Sequence, residues 1–415
     1  MPKSVALPGA DVRIAFGIVS LFPGGGLQRD CIDIAQKVRN YGHDVVIHAA
    51  RLNGAVSLPD IPIIVIPNTE RTNHARQHRF ALDFMQRTAG SFDLVVGFDK
   101  LIGLDVLYCA DRSIYYRLLR QPYLGFLARY RTFVGIEGNT FKPGQKTRVI
   151  LLGQRQRMEF LDAWHTEAER VIELPPTLSP ARRRPQCRVN GDRERMRAQL
   201  GLPRDAWVWL VIGVQPKTKG FDRVLSALKH FPNAFLLIAG LNDVDASSKK
   251  MVDLVRRLDV ASRVIWLGHR EEIEQFAAAS DVLMHPARYD TTGAVILEAL
   301  VNGLPVITTS ACGYAQHVRG AGAGIVLDEP FDFQLFLTAI KEMSDPARRA
   351  EYSEAGILYG SVQSLYAGKD VAAQLIINLA ERRQADGDDV RDSWRLPISS
   401  EPSGNIVSLP MPHRK

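Results

Sequence analysis

Short apolar runs alternate with amphipathic segments along most of this 415-residue chain. The first run, Val12–Val19, leads through a glycine-rich turn to a helical pattern over Leu27–Val38. Further apolar runs, separated by helical patterns, follow at Val45–Ile47, Ile63–Ile66, Leu94–Val96, Leu107–Ala110, Val149–Leu152 and Val171–Leu174. Strands that alternate with helices predict a parallel α/β sheet.

The alternation stops at Pro175-Pro176-Thr177, and the next twenty residues are rich in Pro and Arg, which predicts a linker. A second series of apolar runs then begins at Val208–Ile212 and ends at Ile325–Leu327. We therefore predict two Rossmann-like domains, residues 1–176 and 177–359, that face a central cleft. A C-terminal helix over about 360–383 is expected to pack back on the first domain, and 384–415 to be a disordered tail. Ligands of such sheets bind beyond the carboxyl ends of the strands.

Composition places the chain among soluble globular proteins, with 46% hydrophobic and 23% charged residues. It contains no apolar run of 18 residues and no secretion signal at its start. The four cysteines are scattered, which predicts reduced thiols in a cytoplasmic protein. The net charge of +7 fits nucleic acid, a phosphate-bearing substrate or an anionic membrane as partner.

The basic residues are concentrated in one stretch that also carries aromatic side chains. Between Arg112 and Arg148 there are eight Lys or Arg residues against one acid, Glu137. This composition is typical of a membrane-surface patch, and single-stranded nucleic acid or a core-facing helix pair with an arginine rim are the alternatives. We favour the membrane, and expect Pro122 to divide the stretch into two short elements. The candidate patch residues are Arg112, Tyr115, Tyr116, Arg117, Arg120, Tyr123, Phe126, Arg129 and Arg131. A second basic cluster lies at Arg182–Arg184 and Arg188.

Two strand-to-helix loops occupy matching positions in the two domains. The first contains Gly24, Gly25 and Gly26, which would let backbone N–H groups approach an anion. It is neither a Walker loop nor a dinucleotide fingerprint, and a tight turn that needs positive φ is the alternative. The second, Gly213–Gly220, offers Lys219 and Lys217 to a phosphate, unless both are ordinary solvated lysines. Their matching positions favour phosphate binding.

Two carboxylates, Asp290 and Glu298, lie eight residues apart across a predicted helix start, with Thr291 and Gly293 between them. Acceptors beside a helix N-terminus suit an anionic, hydroxyl-rich ligand such as a sugar nucleotide. A glycine-started helix with an incidental Asp before it is the alternative.

Further aspartates fall on predicted loops of the first domain: Asp30, Asp99, Asp105 and Asp111. Asp111 follows the strand Leu107–Ala110, so it could orient an acceptor hydroxyl or stabilise positive charge on a reacting sugar, unless it caps the helix that begins near Ser113. Asp105 is expected to be structural. No histidine has metal-ligand spacing, so we predict no bound metal.

Taken together, these strings resemble the retaining glycosyltransferases with two Rossmann domains known as GT-B, and within them the lipopolysaccharide core glucosyltransferase I subfamily of Gram-negative bacteria. The strings that carry the resemblance are Phe22–Asp30, Asn73–Arg76, Val96–Lys100, Gly103–Val106, Ala110-Asp111, Lys219-Gly220, His285–Ala287, Gly293–Glu298, Thr308-Thr309 and Cys312–Ala315. The resemblance implies transfer of glucose from UDP-glucose to a heptose of the lipopolysaccharide inner core, with retention and no obligatory metal or other cofactor. It implies a cytoplasmic enzyme attached peripherally to the anionic inner membrane, with no nucleic-acid partner.

The resemblance also implies roles for individual residues. Glu298 would hold the ribose, Lys219 and the Gly24–Gly26 loop would neutralise the diphosphate, and Asp290 would contact the donor sugar. Asp111 and Asp30 would face the acceptor, and with Asp290 they are the candidate catalytic residues. Two positions depart from the family pattern: the first glutamate of its pair is Asp290 here, and an arginine is replaced by Thr218, for which Lys217 could compensate. Two rivals remain open, a sugar-nucleotide epimerase on the same fold and a membrane-binding module that has lost catalysis.

Overall fold

A computed structural model describes residues 12–23, 25–54, 56–270 and 272–386. The chain forms two compact units: the first contains its residues up to Thr177 and again from Tyr366, and the second is Leu178–Leu365. Each unit is built on one parallel sheet with helices, which confirms the predicted pair of Rossmann-like domains. No helix within the described ranges is both long enough and apolar enough to cross a membrane.

The first unit contains a seven-stranded sheet in the order β3-β2-β1-β4-β5-β6-β7. Its elements are β1 (Arg13–Leu21), α1 (Gly26–Asn40), β2 (Asp44–Leu52), β3 (Ile63–Val65), α2 (Asn73–Thr88), β4 (Leu94–Gly97), β5 (Val106–Cys109), α3 (Ile114–Arg120), α4 (Ala128–Phe141), β6 (Arg148–Leu151), α5 (Gln154–Trp164) and β7 (Val171–Glu173). The central strand β1 is buried continuously from Ile14 to Ile18, as expected of a parallel strand covered on both faces.

The second unit contains a six-stranded sheet in the order β10-β9-β8-β11-β12-β13. Its elements are α6 (Asp192–Gln199), β8 (Trp207–Ile212), α7 (Phe221–Leu228), β9 (Ala234–Ala239), α8 (Lys249–Arg257), β10 (Val264–Gly268), α9 (Ile273–Ala279), β11 (Val282–His285), α10 (Ala294–Val301), β12 (Val306–Thr309), α11 (Ala315–Ala321), β13 (Gly324–Leu327), α12 (Phe333–Met343) and α13 (Pro346–Tyr359).

The strand order reverses at one point in each sheet. The first strand of each unit, β1 or β8, lies between the strand that follows it in the chain and a later strand, β4 or β11. Parallel sheets bind ligands at such switch points, beyond the carboxyl ends of the strands. The loops that leave these strands are the ones that the sequence singled out as candidate ligand loops.

A long C-terminal helix, α14 (Gly368–Asp386), belongs to the first unit. Its apolar side chains Val371, Leu375 and Ile376 are buried in the same core as α1 and β1, and each contributes about 1.5–3 kcal/mol by leaving water. Ion pairs fix its first turn: Lys37 to Asp370 at 2.5 Å, and Lys369 to Asp33 at 2.5 Å.

Two predicted boundaries differ from the structure. The C-terminal helix begins at Gly368 rather than near residue 360, because Gly360 ends α13 and a 3-10 turn over Gln363–Tyr366 follows. The same helix continues to Asp386, and the rest of the predicted tail lies outside the described residues.

The Pro- and Arg-rich segment after Thr177 was predicted to be a linker, and this is wrong. It forms 3-10 turns at Pro180–Arg182 and Pro185–Arg188 that pack on the second unit. Arg182 pairs with Glu274 at 3.1 Å, and the backbone N–H of Arg184 donates to Asn302 at 2.5 Å. The lack of helical or strand periodicity reflected tight turns rather than a free segment.

Candidate active site

Two loops of the second unit are held together at the carboxyl ends of β8 and β11. The backbone N–H of Arg288 donates to the carbonyl of Thr218 at 2.8 Å, and the Arg288 guanidinium makes two 2.8 Å bonds to Asp222. Gly220 adopts φ of 77°, and a Cβ there would lie 2.1 Å from the carbonyl oxygen of Pro286. Only glycine permits this approach, which brings the lysine loop 213–220 against the segment that carries Asp290.

The carboxylate of Asp290 is the centre of this site. Its Oδ2 receives Nζ of Lys219 at 2.6 Å and Nε2 of His285 at 2.9 Å. Side-chain exposure falls from 23% for Lys219 to 12% for Asp290 and 1% for His285. Oδ2 receives both cations, and Oδ1 of Asp290 has no hydrogen-bond donor among the described residues. We call Lys219, His285 and Asp290 the donor-site cluster.

Electrostatics fix the charges of this cluster. Burial alone would raise the pKa of Asp290, but the hydrogen bond and charge of His285 and the charge of Lys219 hold it well below the usual range of a carboxyl. Burial alone would lower the pKa of His285, but Cys312 and Asp290 raise it to about 9. At neutral pH two cations therefore flank one carboxylate, which leaves the donor-site cluster with an excess of positive charge.

The segment between Asp290 and α10 is fixed by the loop after β12. The N–H of Gly313 donates to the carbonyl of Asp290 at 3.1 Å, and that of Tyr314 to Thr292 at 2.7 Å. A Cβ on Gly313 would lie 2.0 Å from the carbonyl oxygen of Thr291, so this loop also needs glycine. Thr291 is therefore placed by its backbone, directly before the start of α10.

The helix α10 begins after Gly293, which has φ of 76° and offers no side-chain cap to the first turn. Uncapped N–H groups at a helix start attract anions. Further along the helix, the half-buried Glu298 lines a small pocket together with Val295 of the same helix, Ile273 of α9 and Leu210 of β8. Glu274 and Asn302 also line this pocket, and Glu274 is paired with Arg182 at 3.1 Å. A mainly apolar pocket with a few polar groups suits a nucleoside.

Lys217 lies on the same loop as Lys219, but its side chain is exposed and its carbonyl accepts from Arg288 at 2.6 Å. The structure therefore brings Lys219, and not Lys217, to the Asp290 carboxylate.

The glycine loop of the first unit is only partly described, because Gly24 lies outside the described residues. Gly25 is the N-cap of α1, Gly26 is its first residue, and no side chain caps this helix start. Gly25 has φ of −76°, so the alternative of a turn that needs positive φ is wrong at this residue. A Cβ on Gly25 would lie 1.9 Å from Oε1 of Gln28, the end of a flexible side chain, so a larger residue here would require Gln28 to move.

The predicted aspartate cluster is divided between a helix and loops. Asp30 lies on α1 rather than on a loop, accepts from the hydroxyl of Tyr108 at 2.8 Å and pairs with Lys369 at 3.1 Å. Burial raises its pKa against the opposing effects of Lys369 and Tyr108. Asp105 has the predicted structural role, since it accepts from the N–H of Val95 and pairs with Arg383.

Asp111 is exposed at the end of β5. It does not cap α3, because Ser113 does so by accepting from the N–H of Tyr116 at 3.0 Å. Sequence reasoning assigned no role to nearby Asp99. Burial and, to a smaller extent, the charge of Asp111 raise the pKa of Asp99 to about 7, while the N–H of Val19 and the charge of Lys100 act in the opposite direction. Its position directly after the end of β4 was the available signal.

The only acid of the basic stretch, Glu137, is fully buried and organises the start of α3. It receives Nζ of Lys100 at 2.7 Å, the hydroxyl of Ser113 at 2.6 Å, the indole N–H of Trp164 at 2.7 Å and the backbone N–H of Ile114 at 2.8 Å. Burial would raise its pKa, but Lys100 and these donors hold it below the usual value. Glu137 thus fixes the helix that carries the candidate membrane patch, a role that sequence reasoning missed.

The patch itself consists of α3, a 3-10 turn over Pro122–Phe126 and α4, divided at Pro122 as expected. Phe126 is 85% exposed and Tyr123 is 64% exposed. Arg120 stacks on Tyr116 at 4.0 Å, while Arg117 and Arg129 lie over Tyr130 at 5.7 and 5.0 Å.

Three further residues of the candidate patch differ in their exposure. Arg131 is exposed, as predicted for a surface patch. Arg112 is partly exposed and lies 3.9 Å from Glu159. Tyr115 was predicted to belong to the surface, but its ring packs inward on Trp164 at 4.4 Å. Tyr115 and the adjacent Tyr116 are both partly buried against the core of the first unit, because one face of α3 is turned toward that core.

Among the residues that the structure describes, no group of three His, Cys, Asp or Glu side chains is placed to hold a metal ion.

Comparison with known proteins identifies the family. Residues 192–358 match the family model described as glycosyl transferases group 1. The lipopolysaccharide glucosyltransferase WaaG of Escherichia coli (strain K12) is 33% identical over 379 residues, which cover 88% of this chain and 98% of that protein. The chain belongs to the WaaG family of glycosyltransferases. This confirms the resemblance found in the sequence and the enzyme class.

Two further matches agree with this assignment. A crystal structure of WaaG, described as a glycosyltransferase involved in lipopolysaccharide biosynthesis, has a TM-score of 0.81 and 31% identity, covering 88% of this chain and 99% of that chain. This confirms the predicted GT-B architecture. The lipopolysaccharide core biosynthesis glycosyltransferase LpsE of Rhizobium meliloti (strain 1021) is 30% identical over 161 residues, 39% of this chain and 46% of that protein.

Proposed function

We propose that this enzyme transfers glucose from UDP-glucose to a heptose of the lipopolysaccharide inner core, with retention at the anomeric carbon. The donor-site cluster carries the proposal: a carboxylate whose Oδ2 receives two cations, placed shortly before the start of α10. The Escherichia coli lipopolysaccharide glucosyltransferase WaaG, which this chain matches over 98% of that protein's length, supports the choice of sugar and acceptor.

In this proposal the cluster neutralises the diphosphate leaving group. Lys219 keeps N–H groups beyond the one directed at Asp290, and the excess positive charge of the cluster lies next to the uncapped N–H groups after Gly293. Charge that develops on a departing diphosphate is stabilised most by donors already fixed before reaction. No reorganisation of Lys219 is needed, since Asp290 already orders its ammonium group.

Asp290 would hold the donor sugar through its second oxygen. His285 and Lys219 fix the carboxylate from one side, so the other oxygen can accept hydrogen bonds from sugar hydroxyls. The shorter side chain of Asp, compared with the Glu of the family pattern, is offset by this tight support. Glu298 would bind the ribose in its apolar pocket, with Val295 and Ile273 against the base.

The acceptor would be bound by the first unit. Asp111 is exposed at the carboxyl end of β5 and can accept a hydrogen bond from an acceptor hydroxyl. Asp30 is already engaged by Tyr108 and Lys369, so we propose that it acts on the acceptor only through the placement of α1.

We further propose that the enzyme attaches peripherally to the cytoplasmic face of the inner membrane. Phe126 and Tyr123 would enter the interfacial layer, and Arg117, Arg120 and Arg129 would meet anionic headgroups. Stacking on tyrosine rings holds these arginines extended at the surface, which favours a lipid surface over a protein core.

A donor panel with delipidated lipopolysaccharide core as acceptor, read by mass spectrometry, tests the proposal. We expect glucose transfer from UDP-glucose, and loss of transfer in Glu298→Ala with an unchanged circular dichroism spectrum. Glu354→Ala, at an exposed position of α13, is the matched control and should retain activity. Consumption of the donor without acceptor would indicate an epimerase, and no turnover of any sugar nucleotide would indicate a lapsed binding module. Full activity of Glu298→Ala would contradict the assigned ribose contact.

A further inference from the structure

A second pocket opens on the second unit at the opposite end of its sheet from the donor-site cluster. Asp281 directly precedes β11 and Pro305 directly precedes β12, and both line the pocket, so it lies at the amino ends of these strands. Its volume is about 360 Å³, near the lower end of the range of small-molecule sites. Further walls come from the Pro- and Arg-rich segment, α6 and α13.

Four arginines surround a single carboxylate here. Asp281 accepts from Arg193 at 2.6 Å through one oxygen and from Arg197 at 2.9 Å through the other. The same carboxylate also accepts from the backbone N–H of Val208 at 2.8 Å. Asp281 is therefore fully used by two of the four arginines.

The other two, Arg188 and Arg349, line the pocket and form no ion pair with a carboxylate of the described residues. Arg188 donates to the carbonyls of Ala277 at 3.0 Å and Ser280 at 3.3 Å, around the end of α9. These carbonyls satisfy part of its guanidinium, but they carry only the partial charge of a helix end. Burial and then the charge of Arg193 lower the pKa of Arg188 to about 10, against the opposing charge of Asp281. Four arginines and one carboxylate leave the pocket with an excess of positive charge.

Arg349 is the clearest sign of a ligand site. Only its Nη1 has acceptors among the described residues, the carbonyls of Met343 at 2.9 Å and Ser344 at 2.7 Å at the end of α12. Nη1 therefore caps α12, while Nε and Nη2 of Arg349 have no acceptor among the described residues. Nε and Nη2 together form the planar fork that binds phosphate through two parallel hydrogen bonds.

We propose that this pocket is a second anion site, which binds a phosphate-bearing small molecule through Arg349 and Arg188. It is distinct from the donor-site cluster, since the length of the strands separates the two. The proposal does not depend on the donor or acceptor assigned above. Arg188 belongs to the basic cluster that the sequence analysis singled out after Thr177, and the proposal gives that cluster a ligand-binding member.

Calorimetric titration of the full chain with inorganic pyrophosphate, at constant ionic strength, tests this site. The titration uses a Lys219→Gln background, so that binding at the donor-site cluster does not contribute. We expect one saturable site. Ala350→Glu places a carboxylate on an exposed pocket wall without removing a hydrogen bond, and should weaken binding about tenfold or more. Thr338→Glu, an exposed position of α12 outside the pocket, is the matched control and should bind normally.

A second variant separates lost binding from lost folding. Arg349→Gln removes the fork and should weaken pyrophosphate binding to a similar extent, and it decides the matter if Ala350→Glu lacks the parental circular dichroism spectrum. Absence of saturable binding in the Lys219→Gln background would overturn the proposal. So would equal affinities for Ala350→Glu and Thr338→Glu, or for Arg349→Gln and its parent.

Discussion

Replacing His285 by Gln isolates the charge in the donor-site cluster. The imidazole is 1% exposed and donates to Asp290 at 2.9 Å. Glutamine retains an N–H donor of similar reach, but it cannot carry a proton charge. The substitution therefore removes the buried cation while leaving a hydrogen bond to Asp290 possible.

The size of the effect follows from the proton bound by His285. Its pKa is about 9 in the folded protein and about 6.5 when unfolded, a difference worth about 3 kcal/mol. Because the folded pKa is the higher one, this stabilisation is fully present below about pH 6.5. It is lost as the pH rises to about 9, where the folded protein also releases the proton.

Urea denaturation of the wild type and His285→Gln, from about pH 6 to about pH 10, measures this contribution. The free energy of unfolding of the wild type should exceed that of the variant by about 3 kcal/mol more at the acidic end than at the alkaline end. His269→Gln, at an exposed position of the same unit, should show no such trend. A difference between wild type and His285→Gln that stays constant with pH, or grows as the pH rises, would refute a charged imidazole at this position.

Three further predictions address the other parts of the molecule. Lys219→Gln should lower kcat by about 10²-fold or more in the transfer assay, because a fixed cation at the leaving group is lost; an unchanged kcat would contradict its role. Phe126→Ser should reduce flotation with anionic liposomes, whereas Val244→Ser, which removes an equally exposed side chain from the second unit, should not. Glu137→Gln leaves Lys100 buried without its carboxylate and should lower the free energy of unfolding of the first unit by about 3–5 kcal/mol in chemical denaturation. A loss below about 1 kcal/mol, the value of an exposed ion pair, would show that Glu137 is dispensable.

The fold was predictable because its signal is local. Apolar runs such as Val208–Ile212 and Val282–Met284 are buried strands, and a residue directly after such a strand lies at the carboxyl end of the sheet. This rule placed the loops that carry Lys219 and Asp290 at the carboxyl ends of β8 and β11, and the family resemblance assigned both residues to the donor, where they meet at 2.6 Å.

What the sequence could not show depends on contacts between distant residues. His285 belongs to one of the sequence strings that carry the family resemblance. Its role as a buried cation depends on its burial next to Cys312, which lies 27 positions away in the chain, as well as on Asp290. Glu137 looked like one acid among many bases until Lys100, 37 residues earlier, was found beside it. Asp30 was expected on a loop although it falls within the helical pattern Leu27–Val38, and the structure places it in the first turns of α1.

The helix α14 has a consequence for synthesis of the protein. The second unit is one uninterrupted segment of chain, whereas the core around β1 is completed by Leu375, Ile376 and other side chains made about 350 residues after that strand. On the ribosome, the second unit can reach its native state while the first still exposes the apolar groove that α14 will fill. The core of the first unit can therefore be completed only after the C-terminal helix has been synthesised, although β1 is made first.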